Sequence, residues 1–156
     1  MEENSAPRLY FAYGSNLDLE QMRRRCPGSH MVGTANLPGF QLAFVGYSES
    51  RGGGVATVRK NGNGSHVPGV LYQMTQEDWQ KMDGFEGFPT IYRREVVQVI
   101  NRSGWAVEAE TYIRNHGEHR LPSPSYRRIV EAGYRKHNLP RGPSEDVRES
   151  HRKRRE

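Results

Sequence analysis

The sequence predicts an α+β fold built on a small, mainly antiparallel curved sheet or β-barrel decorated by short helices. From residue 30 onward, short segments rich in Val, Phe, Tyr and Thr are separated by clusters of Gly, Pro, Asn and Ser, the pattern of strands and tight turns. The stretches with helical spacing are few and short. Strands and helices do not alternate regularly, which disfavours a doubly wound parallel sheet.

The apolar run at residues 9–12 reads as a buried first strand. It gives way to Tyr13-Gly14-Ser15-Asn16, followed by Leu17, a small and polar turn just before a helix start. The first amides of such a turn have no partner and point outward, so they suit a carboxylate or an oxyanion. Asp18 then offers an N-cap with Gln21 in the capping-box position. Leu19, Met22 and Cys26 share one helical face, and Pro27-Gly28 stops the element. Cys26 is most simply a packed helix residue, and as the single cysteine it excludes an internal disulfide.

Strands are expected near residues 31–35, 41–46, 54–59 and 69–74, with Gly52-Gly53-Gly54 and Asn61-Gly62-Asn63-Gly64 as intervening loops. The second loop lacks the lysine and following helix of a phosphate-binding loop and reads as a hairpin turn. Thr75 caps a second short helix, where Asp78 favours the positive end and Trp79 and Met82 face inward. The turn Gly84-Phe85-Glu86-Gly87-Phe88 follows, then longer strands at 91–100 and 105–113 joined by Asn101-Arg102-Ser103-Gly104. The last helix starts at Ser123-Pro124, with proline at its first position and Tyr126, Ile129, Val130, Gly133 and Tyr134 on one face. Asn138-Leu139-Pro140 ends it.

A chain of 156 residues is expected to form one domain over 8–140, with an N-terminal arm at 1–7 and a basic, mobile tail at 141–156. The formal net charge of +5 is concentrated locally, in Arg23-Arg24-Arg25 and in the terminal run Arg152-Lys153-Arg154-Arg155. Aromatic and basic residues do not interleave along any strand, so nucleic acid is not the expected partner. No window approaches a membrane span, and the start at Met1-Glu2-Glu3-Asn4 is acidic and polar. A soluble protein of a reducing compartment, the cytoplasm, is expected.

Glu86 is the carboxylate that stands out. Its neighbours Gly84, Phe85, Gly87 and Phe88 make an apolar, tightly bent setting that disfavours the charged form and raises the pKa toward the range useful for proton transfer. Composition alone favours a solvated turn glutamate, because isolated carboxylates are usually hydrated. Ser15 does not sit in a Gly-x-Ser-x-Gly elbow, and its hydroxyl reads as a cap of the turn. Cys26 and His30 are separated by a helix end and lack a third orienting group. The histidines at 116, 119, 137 and 151 do not have zinc spacing, so no metal is expected. Tyr126 fits core filling as well as pocket lining.

Four segments in this order resemble the γ-glutamylcyclotransferase family: Tyr13-Gly14-Ser15-Asn16-Leu17; Gly53-Gly54-Val55-Ala56-Thr57; Met82-Asp83-Gly84-Phe85-Glu86-Gly87 before Tyr92-Arg93-Arg94; and Pro122-Ser123-Pro124-Ser125-Tyr126. The likeness runs over residues 9–140 and outweighs the solvated reading of Glu86. It implies a small barrel decorated by helices, with no metal and no organic cofactor. It implies that Glu86 is the catalytic carboxylate, that Tyr13, Gly14, Ser15, Asn16 and Leu17 form the substrate-binding loop, and that Tyr126 lines the pocket. The implied substrate is a small γ-glutamyl compound that closes on its own α-amine to release 5-oxoproline. The amine released is an amino acid, a peptide, a lysine-type amine or an aminoglycoside intermediate of butirosin-type antibiotic biosynthesis, with loops 47–53 and 114–121 setting the choice. The competing reading is a non-catalytic binding module of the same fold for an amino-acid-like ligand, against which an intact Glu86 argues. Oligomeric state is left open.

Overall fold

The computed structural model describes residues 8–62 and 64–140. The expected arm at 1–7, the expected tail at 141–156 with its basic run, and Asn63 lie outside the described residues.

Seven strands are present: β1 (Arg8–Ala12), β2 (His30–Pro38), β3 (Phe40–Ser48), β4 (Gly53–Lys60), β5 (His66–Met74), β6 (Tyr92–Asn101) and β7 (Ala106–Arg114). The helices are α1 (Leu19–Arg25), α2 (Gln76–Glu86) and α3 (Pro124–Lys136), with a single 3₁₀ turn at Ser15–Leu17. Five strands close a barrel in the order β1-β5-β2-β6-β7, while β3 and β4 form a separate two-stranded ribbon. Every pairing is antiparallel except β1 with β7, where Tyr10 meets Glu110 in parallel register and closes the barrel. The expected α+β architecture with a mainly antiparallel barrel is therefore present.

Phe11, Leu37, Val70, Leu71, Tyr72, Val99 and Tyr112, from both faces of the barrel strands, belong to one continuous core. Period-two alternation is plain in β6, where Val97 and Val99 are buried while Val96 and Ile100 face out. Tyr10 packs against Tyr72, Trp79 and Tyr112 at ring separations of 6.1, 5.7 and 5.8 Å, and so fixes α2 across the barrel end.

Three local expectations are corrected. The segment 61–64 does not turn a hairpin, because β4 pairs only with β3 and β5 belongs to the barrel. It is a crossing from ribbon to barrel, tied to the β2–β3 corner by Gly39 N to Ser65 O (2.9 Å) and Asn61 N to Gly39 O (2.8 Å). Gln21 does not complete a capping box at Asp18. Its side-chain amide donates to Ser15 Oγ (2.9 Å) and Asn16 Oδ1 (2.7 Å), so a tertiary partner wins over the local one. Finally, α2 runs on through Gly84 to Glu86 rather than ending in a loose turn. A complete Thr75–Asp78 capping box holds its start, and Gly87 at φ 67° ends it in the left-handed conformation that glycine adopts without strain.

Cys26 is buried at the end of α1 with its thiol against the Asp78 carbonyl (3.4 Å), and burial pushes the thiol up to about 12. It is a packing residue, as expected. In α3, Ser123 accepts from Tyr126 N (3.2 Å) and Pro124 occupies the first turn. Tyr126, Val130, Gly133 and Tyr134 form its buried face.

Gly133 lets α3 lie directly on the 3₁₀ turn, for a Cβ there would stand 2.5 Å from Leu17 Cβ. Gly133→Val is therefore expected to lower stability by about 1–3 kcal/mol, the usual range for forcing extra carbons into a packed site. Urea unfolding measures it, and an unchanged midpoint would mean that α3 moves away without cost.

Candidate active site

One cavity of about 470 Å³ opens between the 3₁₀ turn, the end of α2, the β3–β4 hairpin and the start of α3. Its walls carry Tyr13, Gly14, Ser15, Asn16, Glu86 and Tyr126 together, residues far apart in the chain. Leu17 is the exception among the residues expected to meet substrate. It is fully buried beneath Gly133, and its carbonyl is bonded to His137 Nε2 (2.8 Å), so it anchors the turn rather than facing the cavity.

The turn is held by Asn16. Its side-chain nitrogen donates to Tyr10 Oη (2.8 Å) and Met82 Sδ (3.4 Å), and its oxygen accepts from Gln21 (2.7 Å) and Arg25 Nη1 (3.2 Å). Tyr72 Oη donates to the Asn16 carbonyl at 2.8 Å. Thus a buried amide ties the turn to β1, β5, α1 and α2, and its polar atoms are satisfied internally. Within the turn, Leu17 N bonds Gly14 O and Asp18 N bonds Ser15 O, both at 3.0 Å. The amides of Gly14, Ser15 and Asn16, which precede those donors, have no bond within the turn. The Ser15 hydroxyl does not cap it; it accepts from Gln21 and from Arg51 Nη2 (3.4 Å).

Glu86 is half-buried and lines the same cavity, as the last residue of α2. Burial raises its carboxyl to about 7, against a downward pull from the Arg25 and Arg51 guanidiniums. The Phe85 and Phe88 rings, expected to shield it, are themselves 55% and 36% exposed and lie under Arg25 and Arg94 respectively. Tyrosines enclose the acid instead. Tyr10, Tyr13, Tyr92 and Tyr126 all line or border the same cavity, and each phenol is pushed upward first by burial and further by the Glu86 charge. At neutral pH these hydroxyls stay protonated.

Two tyrosines also seal the free edge of the ribbon. Ala56 N donates to Tyr126 Oη (3.1 Å), and Tyr92 Oη donates to Ala56 O (2.9 Å). Tyr126 thus serves packing and cavity wall at once. Arg51 stacks over its ring at 5.2 Å.

Sequence reasoning missed Tyr10, Tyr92, Arg25 and Arg51 as site residues. Arg25 had the look of a solvated helix face, whereas it reaches Asn16 and stacks on Phe85. Arg51 carried a faint signal: it precedes the glycine triplet of a loop marked for specificity. Among the described residues, no three or more His, Cys, Asp or Glu gather as a metal site, and no helix is long and apolar enough to cross a membrane.

Comparison with known proteins agrees with this geometry. The model of the family described as "Gamma-glutamyl cyclotransferase, AIG2-like" matches residues 10–134. Gamma-glutamylcyclotransferase of Mus musculus is 31% identical over 145 residues, covering 90% of this chain and 77% of the relative. The Homo sapiens protein of the same name is 33% identical over 137 residues, covering 85% and 72%. A solved structure titled "Gamma-glutamyl cyclotransferase" superposes with a TM-score of 0.82 at 30% identity, covering 86% of this chain and 82% of that one. With its turn, carboxylate and tyrosine gathered at one cavity, the chain belongs to the γ-glutamylcyclotransferase, AIG2-like family of enzymes.

Proposed function

We propose that this protein cleaves a γ-glutamyl amide by attack of the substrate's own α-amine, releasing 5-oxoproline and a free amine. The observation that carries the reading is that Glu86 and the Gly14–Asn16 turn line one cavity.

The α-ammonium of a bound γ-glutamyl group must lose a proton before it can act as a nucleophile. Glu86, with its carboxyl raised to about 7, is matched to take that proton at neutral pH. The amine nitrogen then forms a bond to the γ-carbonyl carbon and closes a five-membered lactam. Collapse of the tetrahedral intermediate breaks the bond to the leaving nitrogen, to which Glu86 returns the proton, and the second proton that the attacking nitrogen sheds on becoming the lactam N–H departs on the free amine as its ammonium form. One carboxyl thus serves as base and then acid, and no enzyme nucleophile is required. Holding the two reacting ends of one molecule together supplies on the order of 7–11 kcal/mol of the barrier. Amides of the turn stabilise the oxyanion, a contribution typically worth about 3–4 kcal/mol per donor.

Tyr47, Phe85 and Ile91 line the outer cavity, where the leaving amine would lie. The charged residues on the walls are Arg25, Arg51 and Arg114 against Glu49 and Glu86. That balance disfavours a polycationic aminoglycoside of the butirosin type relative to an amino acid or short peptide, because like charges at close range repel.

Glu86→Gln is expected to fold and to release no 5-oxoproline from a panel of γ-glutamyl amino acids, peptides and amines. Near-full turnover by this variant would remove Glu86 from the mechanism. In the wild type, kcat/KM should climb as pH rises through about 7, where Glu86 ionises, and this inflection should be missing from any residual activity of the variant.

The same group links stability to pH. Its folded pKa of about 7 lies above the ordinary 4.5, so the ionised form is disfavoured in the folded state. Stability is therefore lost as pH rises from the ordinary value through the folded one, by on the order of 3 kcal/mol in total. Glu86→Gln lacks that loss. Its unfolding midpoint should exceed that of the wild type at alkaline pH, with the gap closing in acid; an equal gap at both ends of the range would contradict the shift.

A further inference from the structure

Arg51 is a charged cavity residue held by both its backbone and its side chain. Its backbone is fixed on both sides, N donating to Ser48 Oγ (3.2 Å) and O accepting from Ser123 Oγ (2.6 Å), the same hydroxyl that caps α3. The side chain reaches across the cavity mouth to Ser15 Oγ (3.4 Å) and Gln21 Oε1 (3.2 Å) and stacks on Tyr126. Both of those side-chain bonds are to neutral groups and both leave from Nη2. A guanidinium has five N–H donors, so Nε and Nη1 have no hydrogen-bond partner among the described residues. A pre-positioned fork with unused donors, beside open backbone amides, is the geometry that recognises a carboxylate in bidentate fashion.

We propose that Arg51 is the carboxylate-binding residue of this site, holding the α-carboxylate of the glutamyl group beside the Ser15 turn. The inference rests on the proposed γ-glutamyl chemistry and adds to it. A γ-glutamyl substrate carries one anion from the start, its α-carboxylate, and develops a second, the oxyanion, as the lactam closes. With Arg51 on the carboxylate, the amides of the turn remain available to the oxyanion. The contact through Ser15 Oγ places the guanidinium beside the turn whose amides would meet the glutamyl group. Because 5-oxoproline keeps the same carboxylate, Arg51 also holds the product. A lysine at this position would keep the charge and lose the fork.

The test is a comparison of ligands with and without the carboxylate. Calorimetric titration of 5-oxoproline and of its carboxamide into the wild type, Arg51→Met and Arg51→Lys reads binding without turnover. The wild type should prefer the acid by at least about tenfold, the size expected for charge-assisted hydrogen bonds. Arg51→Met should bring that ratio close to unity, and Arg51→Lys should fall between. In turnover measured well above pH 7, where Glu86 is ionised even without the pull of Arg51, Arg51→Met should raise KM for a γ-glutamyl amino acid far more than it lowers kcat. Thermal unfolding checks that each variant is folded. A folded Arg51→Met that retains the acid preference overturns the proposal, as does a wild type that does not prefer the acid. If the wild type prefers the acid through Arg51 yet yields no 5-oxoproline from any γ-glutamyl compound, the proposed reaction fails while the assignment of Arg51 stands.

Discussion

Keeping the Glu86 carboxyl out of bulk water, with two guanidiniums as its electrostatic neighbours, is the constraint around which this structure is arranged. A carboxyl in a wholly apolar cavity would simply remain protonated, and one on the surface would remain ionised. Here burial raises the group while Arg25 and Arg51 pull it back, leaving it at about 7. The balance depends on walls that do not move. Tyr92 and Tyr126 are each locked by a hydrogen bond to Ala56, Tyr13 donates to the Tyr112 carbonyl, and Tyr10 is bonded to Asn16.

Asn16 carries the same constraint to the turn. Its side chain joins Tyr10 of β1, Met82 of α2, and Gln21 and Arg25 on α1, so the amide turn and the element bearing Glu86 share one anchor. The separation of acid and amides is thereby set by buried hydrogen bonds rather than by loop conformation. That arrangement suits the proposed catalysis by position, in which the substrate would supply the nucleophile and the protein orientation, proton transfer and dipoles. The β3–β4 ribbon completes the cavity from outside the barrel and brings Arg51 to the turn, which explains why a fold with a closed barrel also keeps a detached hairpin.

What could be read from the sequence was what is local. The strand-turn junction at residues 13–16, the proline at the start of α3 and the capping threonine of α2 are written in adjacent residues, and each lies where the pattern puts it. Errors arose where tertiary partners compete with local rules. Gln21 abandons its capping position for Ser15 and Asn16. Gly84 reads as a helix breaker, yet its position is open, a Cβ there would meet nothing, and the helix passes through it. The strand expected at 69–74 begins earlier, at His66; Pro68 lies beyond the last β1 partner, Val70, where β5 pairs only with β2 and proline is tolerated. The wall residues Tyr10, Tyr92, Arg25 and Arg51 were beyond local reading because only long-range packing brings them to Glu86. The raised pKa of Glu86 was read from the phenylalanines beside it in sequence, but Tyr10, Tyr13, Tyr92 and Tyr126, which share its cavity, were not legible there.

The state of one carboxyl group is therefore the quantity to determine, and it can be followed directly by titrating the ¹³C-labelled side chain of Glu86 in the ligand-free protein by nuclear magnetic resonance, with Glu86→Gln assigning the signal. A midpoint near 7 is expected from the enclosure described above. A midpoint at the ordinary value of 4.5 would show that Glu86 is hydrated and ionised throughout the neutral range, and would remove the basis for its dual role as base and acid.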